Sequence, residues 1–421
     1  MAKRNGGIIG PANTPTASVA AGVWRLRDAF NSIKNGTWPL TRSVATNSLR
    51  FNSGSSDNLT RTFGTATSRR IFTISTWVKR SNLDTVQNVF TAGTGSGDAG
   101  IRFNSGNELF FYEISSPYSA YNFEFSTSQL FRDVSAWYHI VVAVDTTQAT
   151  NTNRVKIYVN GSQVSAFGTA SYPSLNYDSY LNSSVSHRIS GAVDTTFGTR
   201  YFNGYTSEVH FIDGQQLTPS SFGASNSSGV WYPIAYQGSW GTNGFYLKFA
   251  NSASLGTDSS GNNNTFTVNN LTSVDQSTDT ELNNFATINI LTCNDTATLT
   301  AADGNLTITG GNDMGATINI SKGKWYWESK RTNTGTAAHW GIGFTQSWNS
   351  STQIVVGNGS GIFIRQDFVG GYNVVNSGSN GFTSISGSTT GSSIANGDIV
   401  GIALDLDSAT KSITFYQNGS Q

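Results

Sequence analysis

Two stretches far apart in the chain end alike: "VKIYVNGSQ", starting at Val155, and "SITFYQNGSQ", starting at Ser412. In both, side chains alternate in character and then meet Asn-Gly, at Asn160-Gly161 and at Asn418-Gly419. An extended chain points successive side chains to opposite faces, so this period of two marks a strand with one buried face. Asn-Gly supplies the pair of positive φ angles that a type I′ hairpin turn requires. Val155, Ile157 and Val159 then share one face, opposite Lys156 and Tyr158, while Ile413, Phe415 and Gln417 share a face of the later strand. A strand cannot satisfy its own N–H and C=O groups, so each hairpin commits the chain to a sheet. "FTISTWVKR" reads as a further strand, and "AWYHIVVAVD" is nearly continuous in apolar residues, as a strand buried on both faces would be. A second block holds "NLTITG", "ATINIS", "GKWYWES", "HWGIGFT", "GIFIRQ", "DIVGIALDLD" and "SITFYQNG". The prediction is an all-β protein: two β-sandwich (jelly-roll) domains in tandem after a short N-terminal arm and helix.

Such a fold needs bulky core residues and many turns, and the chain has both. It carries 10 Trp, 16 Tyr and 25 Phe for burial, and 45 Gly among abundant Ser, Thr and Asn for turns. Only 12% of residues are charged, with 25 basic against 25 acidic side chains. A chain this neutral cannot build a phosphate-binding field, which excludes nucleic acid as a partner. Cys293 is the sole cysteine, so an intrachain disulfide is excluded. No run reaches the ~18 apolar residues of a membrane helix, and no membrane insertion is expected. "MAKRNGGIIGPANTPT" lacks an apolar stretch after its basic pair, so no secretory signal is read. Sequons such as those at Asn58 and Asn182 follow from the Asn/Ser/Thr content alone. Synthesis in a cytoplasm is expected.

Four segments are expected. Residues 1–44 form an arm, small and Gly/Pro-punctuated, with a short helix in "VWRLRDAFNSIKNG". Leu26, Phe30 and Ile33 fall on one helical stripe, which either packs on the next domain or anchors the chain to a larger assembly. Residues 45–272 are the first sandwich, 273–285 a polar linker ("TSVDQSTDTELN"), and 286–421 the second sandwich. The last of these is expected to be incomplete at its C-terminus, since the strand ending at Asn418-Gly419 lacks its hairpin partner. Either the chain continues, or another segment fills that edge, and continuation is the preferred reading.

The search for chemistry returns little. Glu108, Glu113, Glu124, Glu208, Glu281 and Glu328 are all the glutamates, and no E-x-D-x-x-E strand pairs carboxylates as retaining glycan hydrolysis requires. Glu108 and Glu113 fall on opposite faces of one strand, though Glu108 could face Glu124 from a neighbour. The four histidines are dispersed; His139 and His210 lie in apolar strands and read as core or edge positions, His187 and His339 in polar strand starts. No catalytic residue is assigned and the chain is not expected to be an enzyme. "DSSGNNN" sets Asp258, Asn262 and Asn264 at oxygen-donor spacing, so calcium is the one metal the pattern admits, although the same residues are what a tight turn demands. No other cofactor is implied. Sugar binding asks only for an aromatic face and a few polar groups. Tyr118 and Tyr121 in "SSPYSAYN" and Trp348 in "TQSWNSS" are the loop aromatics suited to it, whereas Trp77, Trp325 and Trp327 read as core.

The order "FTISTWVKR", "AWYHIVVAVD", "RVKIYVNG", "FNGYTSEVHFIDGQQLTPSSFG" resembles the LamG/concanavalin A-like jelly roll found in many bacteriophage proteins. "GFYLKFANSASLGTDSSGNNNTFTVNNL" and "NNFATINIL" resemble the run that follows it in phage, especially marine phage, virion proteins. "GKWYWES", "WGIGF" and "GDIVGIALDLDSATKSITFYQNG" are similar to a SPRY domain. "GGIIGPANTPT", "GVWRL" and "GTWP" look like the leader of marine-phage tail-fibre and appendage proteins, which would make Trp24, Leu26, Phe30, Ile33 and Trp38 an assembly anchor. The resemblance implies a virion protein, a tail fibre or surface appendage, with other virion proteins as partners at the N-terminus and two further copies in a homotrimer. Lectin-like domains would then face a host-surface glycan. The alternative is a decoration or connector protein of the capsid or tail that binds no ligand.

Overall fold

The computed structural model describes residues 44–293, 298–310, 314–332, 340–345, 361–366, 372–377, 384–386, 390–391 and 394–421. The stripe of Leu26, Phe30 and Ile33, together with Trp24, Trp38, His339 and Trp348, lies outside them. The chain divides into two compact units, Met1–Asn284 and Phe285–Gln421. Both are all-β: among the described residues the only helical elements are single 3₁₀ turns.

The first unit is a sandwich of two sheets, each with eight strands among the described residues. One runs in the order Ser162–Gln163, Val155–Val159, Trp137–Asp145, Ile71–Arg80, Gly204–Asp213, Ser48–Phe51 and Gln276–Ser277, with Phe245–Leu247 also paired to Gly204–Asp213. The other runs Phe167–Ser171, Tyr121–Leu130, Glu108–Ser115, Gly97–Phe103, Gln87–Thr94, Ser186–Ile189, Asn58–Thr62 and Thr267–Asn269. Inward alternation from both sheets makes one core, including Ile74, Ile101, Phe111, Ile140, Val142 and Phe211. Each fully buried aliphatic or aromatic side chain there contributes roughly 1.5–3 kcal/mol.

Val155, Ile157 and Val159 enter that core, as their alternation predicts, and Asn160 and Gly161 take φ of 47° and 81° in the turn. The run Trp137–Asp145 is buried throughout. Its second face, with Val141 and Ala143, lies under a separate layer that includes Phe222, Tyr236, Trp240 and Tyr246.

Residues 273–284 are not the free linker that their composition predicts. Thr272 and Asp275 form a reciprocal capping box, and Gln276–Ser277 adds a strand to Ser48–Phe51. Asp279 reaches the buried Lys79 ammonium at 2.9 Å.

In the second unit, Lys324–Lys330, Ile399–Asp405, Ser412–Gln417 and Ser384–Ser386 form one sheet. Trp340–Thr345, Gly361–Gln366, Tyr372–Ser377 and Thr390–Gly391 form another. Ile413 and Phe415 are buried with Ile402 and Leu404. Asn418 and Gly419 adopt φ of 50° and 82°, the same turn as the first Asn-Gly. Trp327 packs against this core, but Trp325, expected inside, is 42% exposed. It sits near the start of an edge strand, where its indole N–H donates to the Lys322 carbonyl at 2.7 Å.

Candidate functional site

The outer face of the second sheet carries a feature that the core does not need. Along Gly97–Phe103, Ala99, Ile101 and Phe103 point inward, which leaves Asp98 and Arg102 on the outer face. Across from them on Glu108–Ser115, Phe110, Tyr112 and Ile114 form a separate aromatic cluster joined by Tyr118 and Tyr121. Asp98, Arg102, Tyr112, Ile114, Tyr121 and Arg200 line an open cavity of about 60 Å³. The two tyrosines singled out as loop residues thus meet at one place, although Tyr121, in the wall, is the first residue of the strand Tyr121–Leu130 rather than a loop residue. Tyr118 follows the cis Ser116-Pro117 bond, at a φ of 61°, and its hydroxyl donates to Asp194.

The polar groups are held by packing. The Arg102 guanidinium lies 4.5 Å from the Phe110 ring centre and 4.3 Å from that of Tyr112. Its Nε donates to Asn104 at 2.8 Å and its Nη2 to the Tyr121 hydroxyl at 3.2 Å. Such cation–π contacts are worth roughly 1–2 kcal/mol when partly desolvated, so the side chain enters the cup pre-positioned. The Tyr112 hydroxyl donates to Asp98 Oδ2. Asp98 Oδ1 has no hydrogen bond of normal geometry, although the Asp194 backbone lies close enough to favour its charge. Burial pushes the Asp98 carboxyl up to about 6, against the opposing effects of the Tyr112 bond and the Arg200 charge. For Arg200, burial first and then the like charge of Arg102 lower the pKa. Burial also disfavours the Asp194 carboxylate, but bonds from Thr196 and Tyr118 outweigh it and hold that group below its ordinary value.

Asp98, Arg102, Tyr112 and Arg200 were not singled out in the sequence. "GDAGIRF" does carry a signal, since Asp98 and Arg102 fall on one face of a strand whose other face is apolar. Arg200 is brought in by a loop about a hundred residues later, and no local pattern announces it.

The other candidates resolve differently. Asp258, Asn262 and Asn264 form a hydrogen-bonded turn rather than a cage of oxygens. The Asp258 carboxylate accepts from Tyr246 N, Ser260 N, Ser260 Oγ and Asn264 N at 2.7–2.9 Å. The amide of Asn262 donates to the Gly241 and Gly244 carbonyls, and that of Asn264 to Thr242 and Gly244. Donors already surround the one charged oxygen pair that a calcium ion would need. Glu108 does not face Glu124: Leu130 lies opposite Glu108, and Tyr112 opposite Glu124. Glu113 turns inward and accepts from Tyr177 Oη, Ser179 Oγ and Tyr180 N. His139, His187 and His210 are all at most 1% exposed. Burial pushes His139 down to about 3 and His187 to about 4. His187 lies at the start of the strand Ser186–Ile189, as expected, but is buried there, with its ring stacked on Phe63 inside the sandwich.

Residues 51–221, which supply most of both sheets and the whole cup, match the Laminin_G_3 family model, described as concanavalin A-like lectin/glucanases superfamily. The first unit contains a concanavalin A-like jelly roll. Solved structures with a similar fold include a SAP-like pentraxin from Limulus polyphemus, at 15% identity and a TM-score of 0.31, over 42% of this chain and 78% of that one. A putative carbohydrate binding protein from Bacteroides ovatus matches at 16% identity and a TM-score of 0.31, over 55% of this chain and 61% of its own length. The CBM40 of a Ruminococcus gnavus IT-sialidase, bound to α2,3-sialyllactose, matches at 10% identity and a TM-score of 0.26, over 34% and 76% of the two chains. No curated protein sequence matches the chain. Within the concanavalin A-like domain, the cup lies on the outer face of the Gly97–Phe103 sheet, where its side chains are not needed for the sandwich to close.

Proposed function

We propose that this chain is a glycan-binding protein, and that the concanavalin A-like domain holds sugar in the cup of Asp98, Arg102, Tyr112, Tyr121 and Arg200. The observation that carries this reading is the convergence of aromatic rings with a buried carboxylate and two guanidiniums on one open cavity. A sugar needs a ring face for its C–H surface and fixed donors and acceptors for its hydroxyls, and the cup offers both. A cavity of about 60 Å³ admits a substituent rather than a whole pyranose, so the sugar ring would lie across Tyr121 and Tyr118.

In this reading the protein belongs to a phage virion, as a trimeric tail fibre or surface appendage. The segment 1–44 mounts it on other virion proteins, the second unit is a SPRY-like sandwich, and the sugar belongs to the host surface. The role is adhesion, not hydrolysis. Glu113 is occupied by three donors, and the two carboxylates at the cup, Asp98 and Asp194, are each tied to a tyrosine. Neither calcium nor any other cofactor is needed for this mode of binding.

The test is calorimetry of the full chain with host-envelope polysaccharide, with reducing ends assayed in the same tube. Heat without new reducing ends, and an affinity that falls about tenfold in Tyr121→Ala through loss of ~1.4 kcal/mol of stacking, is the expected result. New reducing ends would make the chain a hydrolase. Absence of heat would favour the structural decoration or connector role.

A further inference from the structure

We infer that the sugar selected by this cup is anionic, with its carboxylate or sulfate group lying between the guanidiniums of Arg102 and Arg200. The inference rests on the cup being a glycan site and goes on to name the class of glycan.

Two arginines against one carboxylate line the cavity. Oδ2 of that carboxylate, Asp98, already accepts from Tyr112. The two guanidiniums are close enough for the charge of Arg102 to disfavour that of Arg200, a repulsion that a bound anion would relieve. Planar guanidinium forks match the paired oxygens of carboxylates and sulfates, which a hydroxyl pair does only weakly. Arg200 also holds a left-handed φ of 51°, a conformation that costs a non-glycine residue about 1 kcal/mol or more. Its carbonyl accepts from Asn88 N at 2.8 Å, which holds the backbone there, and the conformation places the side chain in the cup wall.

Asp98 gives the inference a sign. It is faced by Tyr112 from the next strand, by Tyr121 from the strand beyond, by Arg102 from its own strand, and by Arg200 and Asp194 from the loop. As pH falls through about 6, Asp98 takes up a proton, and the charged groups at the cup, Arg102, Arg200, Asp98 and Asp194, change from no net charge toward one positive charge. An anionic sugar is then held more tightly, whereas a neutral sugar that donates hydroxyls to the carboxylate is held less tightly.

The experiment presents the full chain with immobilised neutral, uronate-containing and sulfated oligosaccharides at pH 7.5 and pH 5.5. Calorimetry follows on whichever class is retained, with the wild type, Arg200→Gln and Arg200→Lys. The expected result is retention of uronate or sulfated chains, about threefold or more tighter at pH 5.5. Binding should be weakened about tenfold by R200Q and partly restored by R200K, which keeps the charge without the fork. Retention of neutral chains alone, or acidic chains bound equally well by R200Q, overturns this inference and leaves the cup as a sugar site. Retention of no chain overturns the site as well.

Discussion

Replacing Asp279 by alanine should destabilise the first unit far more than its polar surroundings indicate. The Lys79 and Asp279 side chains are 1% and 3% exposed and lie 2.9 Å apart. The ammonium also donates to Asn284 at 2.8 Å, and the Trp137 indole N–H donates to the other Asp279 oxygen at 3.1 Å. Burial lowers the Lys79 pKa even with the Asp279 charge opposing it, so the cation is poorly solvated already. Removing the carboxylate strands that cation and the Trp137 donor, at a cost of about 3–5 kcal/mol. At ~2–4 °C per kcal/mol for a unit of this size, the calorimetric transition of the first unit should fall by roughly 6–20 °C. The double variant Lys79→Met/Asp279→Leu should recover most of the loss, because no uncompensated charge remains. A fall below about 2 °C for D279A, or a double variant as unstable as the single, would refute the claim that this ion pair fastens residues 273–284 to the sheet.

Two further outcomes follow from buried groups. Burial and the neighbouring charge of Glu208 push Glu281 up to about 8. Below pH ~4.5 the carboxyl is protonated folded or unfolded, and above 8 it is ionised in both. Between these limits only the unfolded chain releases the proton, so stability falls as pH rises, by a few kcal/mol in all. Glu281→Gln should flatten that part of a melting-temperature profile, and an unchanged slope would assign it to another group. Asp258→Ala removes the acceptor for four donors and should cost about 2–4 kcal/mol in thermal unfolding. Millimolar calcium should leave the wild-type midpoint where it is, and a rise on adding calcium would show that the turn holds a cation.

The sandwich was legible because its signals are local. Val155, Ile157 and Val159 declare their face by alternation, and Asn160-Gly161 declares the turn. The doubly buried strand Trp137–Asp145 was legible in the same way, but the layer that covers its outer face was not. Phe222, Tyr236, Trp240 and Tyr246 come from a Gly- and Ser-punctuated stretch that carries no strand period. Residues 273–284 misled through composition: Thr, Asp and Asn mark a linker unless tertiary partners absorb them, and here Lys79, Arg50 and Trp137 do so. Trp325 misled in the opposite sense, since it sits near the start of an edge strand, where it stays 42% exposed. At the site, Tyr118 was visible as a loop aromatic, and Tyr121 was picked out with it although it opens the strand Tyr121–Leu130. The charges that define the cup came from two other segments, and their convergence is a property of the fold rather than of any window of sequence.

The most direct measurement is a crystal structure of the full chain soaked with a fragment of the polysaccharide it binds. The account predicts density for a sugar across Tyr121, with an acidic substituent reaching between Arg102 and Arg200 and both guanidiniums within hydrogen-bonding distance. Sugar density at another surface, with the cup holding only water, would contradict it.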